Sequence, residues 1–296
     1  MSDLPSPNDM AIAERKTWLV TGAGRGLGAA LAREVIAQED RLYAVVRSRQ
    51  DAAWIKTLGD DAHALIADVT DEAAITGGVR QIEEQHGAID VVVNNAGYGL
   101  VGAIEEVSLS QLRALFDVNF YAAVNVIQAV LPRMRQRRAG HIINITSVSG
   151  LAPWAGTGAY TASKFALEGL GQTLHEELSE LSIHVTNVAP GGLRTAFGGP
   201  SLQTADKVIE DYAGAAHLPK KVYQETAGQE PNDPALAAQA ICQIAALQDP
   251  PRHLLLGADA LGYYDDAQAR IKDDIDRYKE LTLSVLHSSC EDTGQE

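Results

Sequence analysis

Seven short apolar runs punctuate the chain, at residues 17–20, 42–46, 63–66, 89–93, 141–145, 183–188 and 253–256. They are rich in Val, Ile and Leu and show little polar alternation, the pattern of strands covered on both faces. Longer stretches with apolar positions at helical spacing lie between them, clearest over 27–38, 109–134, 159–181 and 234–247. Strand, helix, strand repeated along a chain implies right-handed crossovers and one doubly wound α/β parallel sheet of about seven strands, with helices on both faces. No linker or break in composition divides it, so residues 15–262 read as one domain. Residues 1–14, polar and proline-containing, read as a flexible arm. Ile271, Ile275 and Tyr278 fall at helical spacing and predict a terminal amphipathic helix over 267–286, within a C-terminal segment 263–296 whose end, from Ser288, should fray.

The turn after the first strand brings in chemistry. It reads Thr21-Gly22-Ala23-Gly24-Arg25-Gly26-Leu27-Gly28. Glycines let a backbone turn tightly and approach a pyrophosphate, which rests at the positive N-terminus of the next helix. A strand before and a helix after, inside a βαβ unit, are the context in which such a pattern has meaning. The end of the second strand should meet the adenosine ribose. A site built for NAD places a carboxylate there, but this chain has Val45-Val46-Arg47-Ser48-Arg49. Arg47 offers a planar fork to a 2′-phosphate, and Arg25 adds a second cation on the same side. Asp51 lies farther along and is expected to start the next helix, leaving no acid for the ribose. The preferred cofactor is therefore expected to be NADP(H), with NAD(H) left open. Asn94-Asn95-Ala96-Gly97 follows the fourth strand, small and amide residues that suit a backbone packed against a cofactor.

The sharpest constellation is Tyr160-Thr161-Ala162-Ser163-Lys164. Positions i and i+4 share a helix face, so Tyr160 and Lys164 project together. A phenol of pKa near 10 is a poor base at neutral pH, and a neighbouring ammonium would stabilise its phenolate. Ser147, thirteen residues earlier at the end of the fifth strand, can hydrogen-bond a carbonyl oxygen. Asn119 stands inside a predicted helix, where asparagine is unfavourable without another task.

Over about residues 16–261 these motifs, in this order and spacing, resemble the short-chain dehydrogenase/reductase family in its compact one-domain branch, which has a Rossmann-type sheet. The family's glycine turn matches Gly22, Gly26 and Gly28, and its adenine-contacting acid matches Asp68 in Asp68-Val69-Thr70. Its catalytic tetrad matches Asn119, Ser147, Tyr160 and Lys164. Its carboxamide-holding segment matches Pro190-Gly191-Gly192-Leu193-Arg194-Thr195. Gly24, Arg25, Leu27, Arg47, Val69, Asn95, Ala96, Gly97, Pro190, Gly191, Leu193 and Thr195, with Tyr160 and Lys164, complete the expected cofactor contacts. The resemblance implies hydride transfer between nicotinamide and a carbonyl/alcohol pair. Tyr160 would move the proton, Ser147 would polarise the carbonyl, Lys164 would hold the ribose and lower the Tyr160 pKa, and Asn119 would hold a water. It also implies a homodimer or homotetramer built on the helices carrying Asn119 and Tyr160, with Gly158, Ala162, Ala166, Gly169 and Gly171 permitting close approach.

Composition narrows the partners. The 24 Lys and Arg against 39 Asp and Glu give a net charge of −15, which argues against a general nucleic-acid or anionic-membrane binder. Cys242 and Cys290 lie far apart and outside any metal-ligand spacing, so neither a metal nor a disulfide framework is expected, and the cytoplasm is the expected compartment. The N-terminus lacks the charged and apolar regions of a signal peptide, and no apolar run approaches the roughly 18 residues of a spanning helix. Residues 196–233, with Gly198, Gly199, Pro200, Tyr212, His217 and Tyr223, are long enough to form a mobile lid. Leu100, Ser149, Leu151, Trp154 and Phe197 are expected to line a pocket for a hydrophobic ketone or secondary alcohol. His217 reads as a lid residue rather than a catalyst. Competing readings are an epimerase or dehydratase on the same tetrad, a dinucleotide-sensing regulator, and an NAD-dependent alcohol dehydrogenase.

Overall fold

The seven apolar runs form seven parallel strands of one sheet. The structure, a computed structural model, describes residues 15–199 and 201–287. The expected N-terminal arm, Pro200 of the lid, Cys290 and the tail from Ser288 lie outside the described residues. In chain order the strands are β1 (Thr17–Thr21), β2 (Arg41–Val46), β3 (Ala62–Ile66), β4 (Val91–Asn94), β5 (Gly99–Val101), β6 (Gly140–Ile145), β7 (Ile183–Pro190), β8 (Leu202–Thr204) and β9 (His253–Leu256). The main sheet runs β3-β2-β1-β4-β6-β7-β9, so the strand order reverses between β1 and β4. A crevice opens at such a reversal, beyond the carboxyl ends of the strands.

The helices are α1 (Gly26–Ala37), α2 (Arg49–Lys56), α3 (Glu72–His86), α4 (Leu109–Phe116), α5 (Ala122–Arg137), α6 (Gly158–Leu178), α7 (Leu218–Thr226), α8 (Pro234–Ala245), α9 (Ala258–Arg277) and α10 (Lys279–Leu283). Strand side chains alternate between two layers. Trp18, Val20 and Leu42 pack with Leu31 and Val35 of α1 and Ile241 of α8. Leu19, Val92 and Ile142 pack with Val79 of α3, Val126 and Val130 of α5 and Leu174 of α6. Each fully buried aliphatic side chain contributes roughly 1.5–3 kcal/mol, so both layers clamp α1 and α6, the helices that bear the site, against the sheet.

Four expectations change. The helix expected over 109–134 is interrupted by a π-helical turn, Asp117–Tyr121, centred on Asn119. There the Asn119 side chain exchanges hydrogen bonds with the Tyr98 backbone, an interaction that helical periodicity does not reveal. The helical segment Leu109–Arg137 as a whole is long and apolar enough, by length and composition, to cross a membrane. Ala122, Val126, Ile127, Val130 and Met134 nonetheless bury its apolar face in the core, as in a core helix of a globular protein. The terminal helix α9 begins at Ala258, directly after Gly257, so the expected boundary at 262/263 falls inside it. Finally, β5 and β8 form an unexpected two-stranded parallel sheet; three-residue strands are too short to show a period.

Candidate active site

A cleft of about 650 Å³ opens at the reversal and runs from the glycine turn to the 196–230 segment. At one end lie Gly22, Gly24, Arg25, Gly26 and Leu27. Gly22 has φ +66°, and a Cβ there would stand 2.9 Å from the Ala96 Cα. Gly28 does not line the cleft. It lets α1 pack onto the turn, since a Cβ there would meet the Gly22 carbonyl oxygen at 2.3 Å. The first turn of α1 has neither a capping side chain nor an acidic residue, so its N–H groups suit an anion. Thr21 and Asn95 brace the turn: Asn95 Nδ2 donates to the Thr21 carbonyl at 2.9 Å, and the Asn95 and Ala96 amides donate to Thr21 Oγ1 at 3.0 Å each.

Arg25, Arg47, Asp68 and Val69 line the same end of the cleft. Asp68 accepts from the Thr70 amide and hydroxyl at 2.9 and 2.8 Å. These bonds, helped by the Arg47 charge and opposed by burial, hold its carboxyl below the usual range. Asp51 corrects the expectation that no acid stands here. Ser48 caps α2, its hydroxyl donating to Asp51 Oδ2 at 2.7 Å and accepting from the Asp51 amide at 3.0 Å. This turns the carboxylate into the cleft against Gly24, where a Cβ would come within 2.7 Å of Asp51 Cγ. The Ser-x-x-Asp spacing at the helix start was the available signal.

The middle of the cleft is built on α6. Tyr160 and Lys164 are both buried, and Lys164 Nζ lies 5.9 Å from the Tyr160 ring centroid. Nζ donates to the Ile145 carbonyl at 2.8 Å. Gly97 lets these parts converge, since a Cβ there would stand 3.2 Å from Asn119 Oδ1 and 3.6 Å from Lys164 Nζ. Asn119 sits one layer behind the wall. Its Nδ2 donates to the Tyr98 carbonyl at 3.0 Å and to Ser163 Oγ at 3.1 Å, and Ser163 in turn donates to the Tyr160 carbonyl at 2.7 Å. A void of about 10 Å³ lined by Asn94 and Asn119 is at the lower limit for one water. Ser147 lies in extended backbone, and its Oγ accepts from the Ser149 amide at 3.1 Å.

Burial governs the titration of the pair. It lowers the Lys164 pKa to about 8. It raises the Tyr160 pKa, against a smaller downward pull from hydrogen bonding with Ser147. Desolvation thus outweighs any lowering of the Tyr160 pKa by the Lys164 ammonium in this structure. The ammonium bonds the Ile145 carbonyl, and desolvation opposes charge on both groups.

Pro190, Gly191, Leu193 and Thr195 form the next stretch of wall. Asp259, in the first turn of α9, pins it by accepting from the Gly192 amide at 2.7 Å and from Asn232 Nδ2 at 2.8 Å. At the far end Ser149, Trp154 and Phe197 line the cleft, with the Phe197 ring 5.7 Å from that of Tyr160. Leu100 and Leu151 do not line it; Leu100 is buried with Leu115 and Ala159 behind Tyr160. Tyr223 of the expected lid also lines it, together with Tyr98, Gln203, Glu230 and Tyr263, which sequence reasoning did not single out. They come from separate parts of the chain and carry no motif.

The lid is latched to the β5–α4 connection. Buried Glu106 accepts from the Ala103 amide at 2.8 Å, the Ile209 amide at 2.6 Å and His217 Nε2 at 2.7 Å. Ser108 donates to Asp206 at 2.7 Å. His217 thus stands in the lid, bonded to a carboxylate.

An open parallel sheet with a glycine turn at its switch point, and a buried Tyr-Lys pair facing the same cleft, define a dinucleotide-dependent oxidoreductase. Residues 16–206 match the family model of the short chain dehydrogenases, and the chain belongs to that family. It is 35% identical to retinol dehydrogenase 8 of Homo sapiens over 260 residues, covering 82% of this chain and 81% of that protein. Among solved structures it is similar to a short-chain dehydrogenase from Streptomyces avermitilis, with a TM-score of 0.87 and 32% identity over 93% of this chain and all of that one. It is also similar to the closed form of a serine dehydrogenase complexed with NADP+, with a TM-score of 0.70 and 28% identity over 81% of this chain and 94% of that one. The protein is thus an NAD(P)-dependent enzyme acting on alcohol or carbonyl groups of small molecules.

Proposed function

We propose that this enzyme moves hydride between NADP(H) and an apolar ketone or secondary alcohol, with Tyr160 as proton donor and acceptor. The observation that carries the reading is the juxtaposition of a buried phenol and a buried ammonium on one face of α6, with Ser147 beside them in the cleft. The cofactor supplies the hydride. The glycine turn and the uncapped start of α1 would hold its pyrophosphate, Asp68 and Val69 its adenine, and Pro190 to Thr195 its carboxamide. Ser147 orients the substrate oxygen, Tyr160 exchanges a proton with it, Lys164 keeps that phenol poised, and Asn119 anchors the turn behind them. Aromatic walls exclude water and favour apolar substrates, in keeping with a relative named for retinol.

Arg25 and Arg47 favour NADP(H), and a similar structure is described as complexed with NADP+. Asp51 supports a second reading, use of NAD(H), because a carboxylate beside Gly24 can accept from a ribose hydroxyl. We place the enzyme in the cytoplasm on its cysteine usage, as a dimer or tetramer. Gly158 and Gly169 have open space around them, whereas Gly171 faces Asn187 inside the molecule; light scattering of a monomer at micromolar concentration would remove the oligomer.

The central test is Tyr160→Phe. Turnover in a screen of ketones and aldehydes should fall more than tenfold, while NADPH binding, read by fluorescence titration, stays near wild type. Retained turnover would remove Tyr160 from the chemistry.

A further inference from the structure

The reading of the cleft as a hydride-transfer site leaves open what else the substrate carries, and one side chain bears on that. Apart from the buried Lys164 ammonium, the wall around Tyr160 is largely neutral and aromatic, formed by Tyr98, Trp154, Phe197, Tyr223 and Tyr263. Burial raises the pKa of Tyr98 and Tyr223, so these phenols stay uncharged. Among the described residues Glu230 is the one carboxylate in this part of the wall. Its Oε1 stands 3.6 Å, and the Tyr223 Cβ 3.8 Å, from the point a Cβ on Gly198 would occupy. Gly198 follows Phe197, whose ring is 5.7 Å from that of Tyr160. The Glu230 carboxylate and the backbone side of Tyr223 thus lie beside Gly198, one residue from Phe197.

Glu230 has little to satisfy it. Its Oε2 accepts from the Gly228 amide at 2.9 Å. Arg194 donates to the Glu230 main-chain oxygen at 3.1 Å rather than to the carboxylate, and among the described residues Glu230 forms no ion pair. A substrate that seals this end strips water from the carboxylate. An uncharged substrate would leave an unpaired anion in an apolar wall, whereas an ammonium would neutralise it. Aromatic faces accept a cation as well.

We propose that the substrate joins an apolar body to a single amine, as an amino alcohol or amino ketone, its protonated amine docked on Glu230 while its oxygen meets Tyr160. The redox balance is that of alcohol and ketone with oxidised and reduced nicotinamide. The amine keeps its proton throughout.

Two alcohols of one shape test this: 2-amino-1-phenylethanol, and 1-phenylpropan-1-ol, in which a methyl group replaces the ammonium. With NADP+ saturating, the wild-type enzyme should show kcat/KM at least tenfold higher for the amine. Glu230→Gln should bring that ratio to within twofold of one, and Glu230→Asp should restore part of it. Calorimetric titration of both alcohols into Tyr160→Phe with NADP+ reads the same preference as affinity, without turnover. A wild-type ratio near or below one, or a Glu230→Gln variant that loses both alcohols equally, overturns amine docking and leaves hydride transfer standing. No turnover of these or any screened carbonyl would instead remove the hydride-transfer reading, and the titration then decides amine docking alone.

Discussion

Replacing Lys164 with methionine should trade activity for stability. Burial lowers the Lys164 pKa from 10.5 to about 8. Holding it charged at pH 7 therefore costs about 3 kcal/mol, at roughly 1.4 kcal/mol per pH unit. Methionine keeps much of the stem and removes that cost, but it leaves the Ile145 carbonyl without its donor at 2.8 Å, a loss of about 1–2 kcal/mol. The net is a gain of about 1–2 kcal/mol, or roughly 3 °C in Tm for a chain of this size. The sign follows from proton linkage. The folded pKa lies below the unfolded one, so between about pH 8 and 10.5 the unfolded chain binds more protons and wild-type stability rises with pH. The advantage of the variant should be full below pH 8, vanish between about pH 9 and 10, and become a deficit of about 1–2 kcal/mol by pH 10.5, where only the lost bond to the Ile145 carbonyl remains. Activity moves the other way. A unit charge 5.9 Å from the phenol ring, at an effective dielectric constant near 20, stabilises the phenolate by about 3 kcal/mol, or two pH units. Alcohol oxidation at pH 7 should drop about a hundredfold, with the pH profile displaced upward by about two units. Thermal melts at pH 7, 9 and 10.5 and pH–rate profiles at saturating cofactor measure both effects. A variant that melts no higher than wild type at pH 7, or that keeps the wild-type profile, would refute the reasoning.

Three more perturbations address one end of the cleft and the lid latch. Arg47→Asp should lower the NADPH:NADH ratio of kcat/KM at least tenfold, and Asp51→Asn should raise it, because in the proposed site the two residues would present opposite charges to one ribose; steady-state kinetics with both cofactors decides. Glu106→Gln replaces one accepting oxygen with a donor amide beside the Ala103 or Ile209 N–H, losing a charge-assisted bond of about 1.5–3 kcal/mol. The Glu106 carboxyl is held below its ordinary pKa by hydrogen bonding, from the Ile209 amide above all, so its stabilisation is present above about pH 4.5 and fades as pH falls through the folded value. Thermal melts should show a deficit at pH 7 that narrows below pH 4, with faster proteolysis over residues 199–217 at pH 7.

The polar and apolar order of the chain determined much of this protein by itself. Both faces of a parallel sheet are covered, so its strands must be apolar throughout, and seven such runs separated by helical spacing leave few alternatives to a doubly wound sheet. Chemistry confined to one turn or one helical face was equally legible. Gly22 needs its positive φ locally, and Tyr160 and Lys164 meet because α6 is a helix. Tertiary structure decided whatever depends on distant segments meeting. Asn119 sits in a π turn because Tyr98, from another loop, bonds it. Leu100 was expected in the wall yet faces the core behind Tyr160, while Tyr223, Glu230 and Tyr263 reach the wall from the lid and α9. The direction of the Tyr160 and Lys164 shifts was also hidden. A charged neighbour can be read from spacing, but desolvation depends on how many atoms from the whole fold close over the pair, and here it outweighs that neighbour.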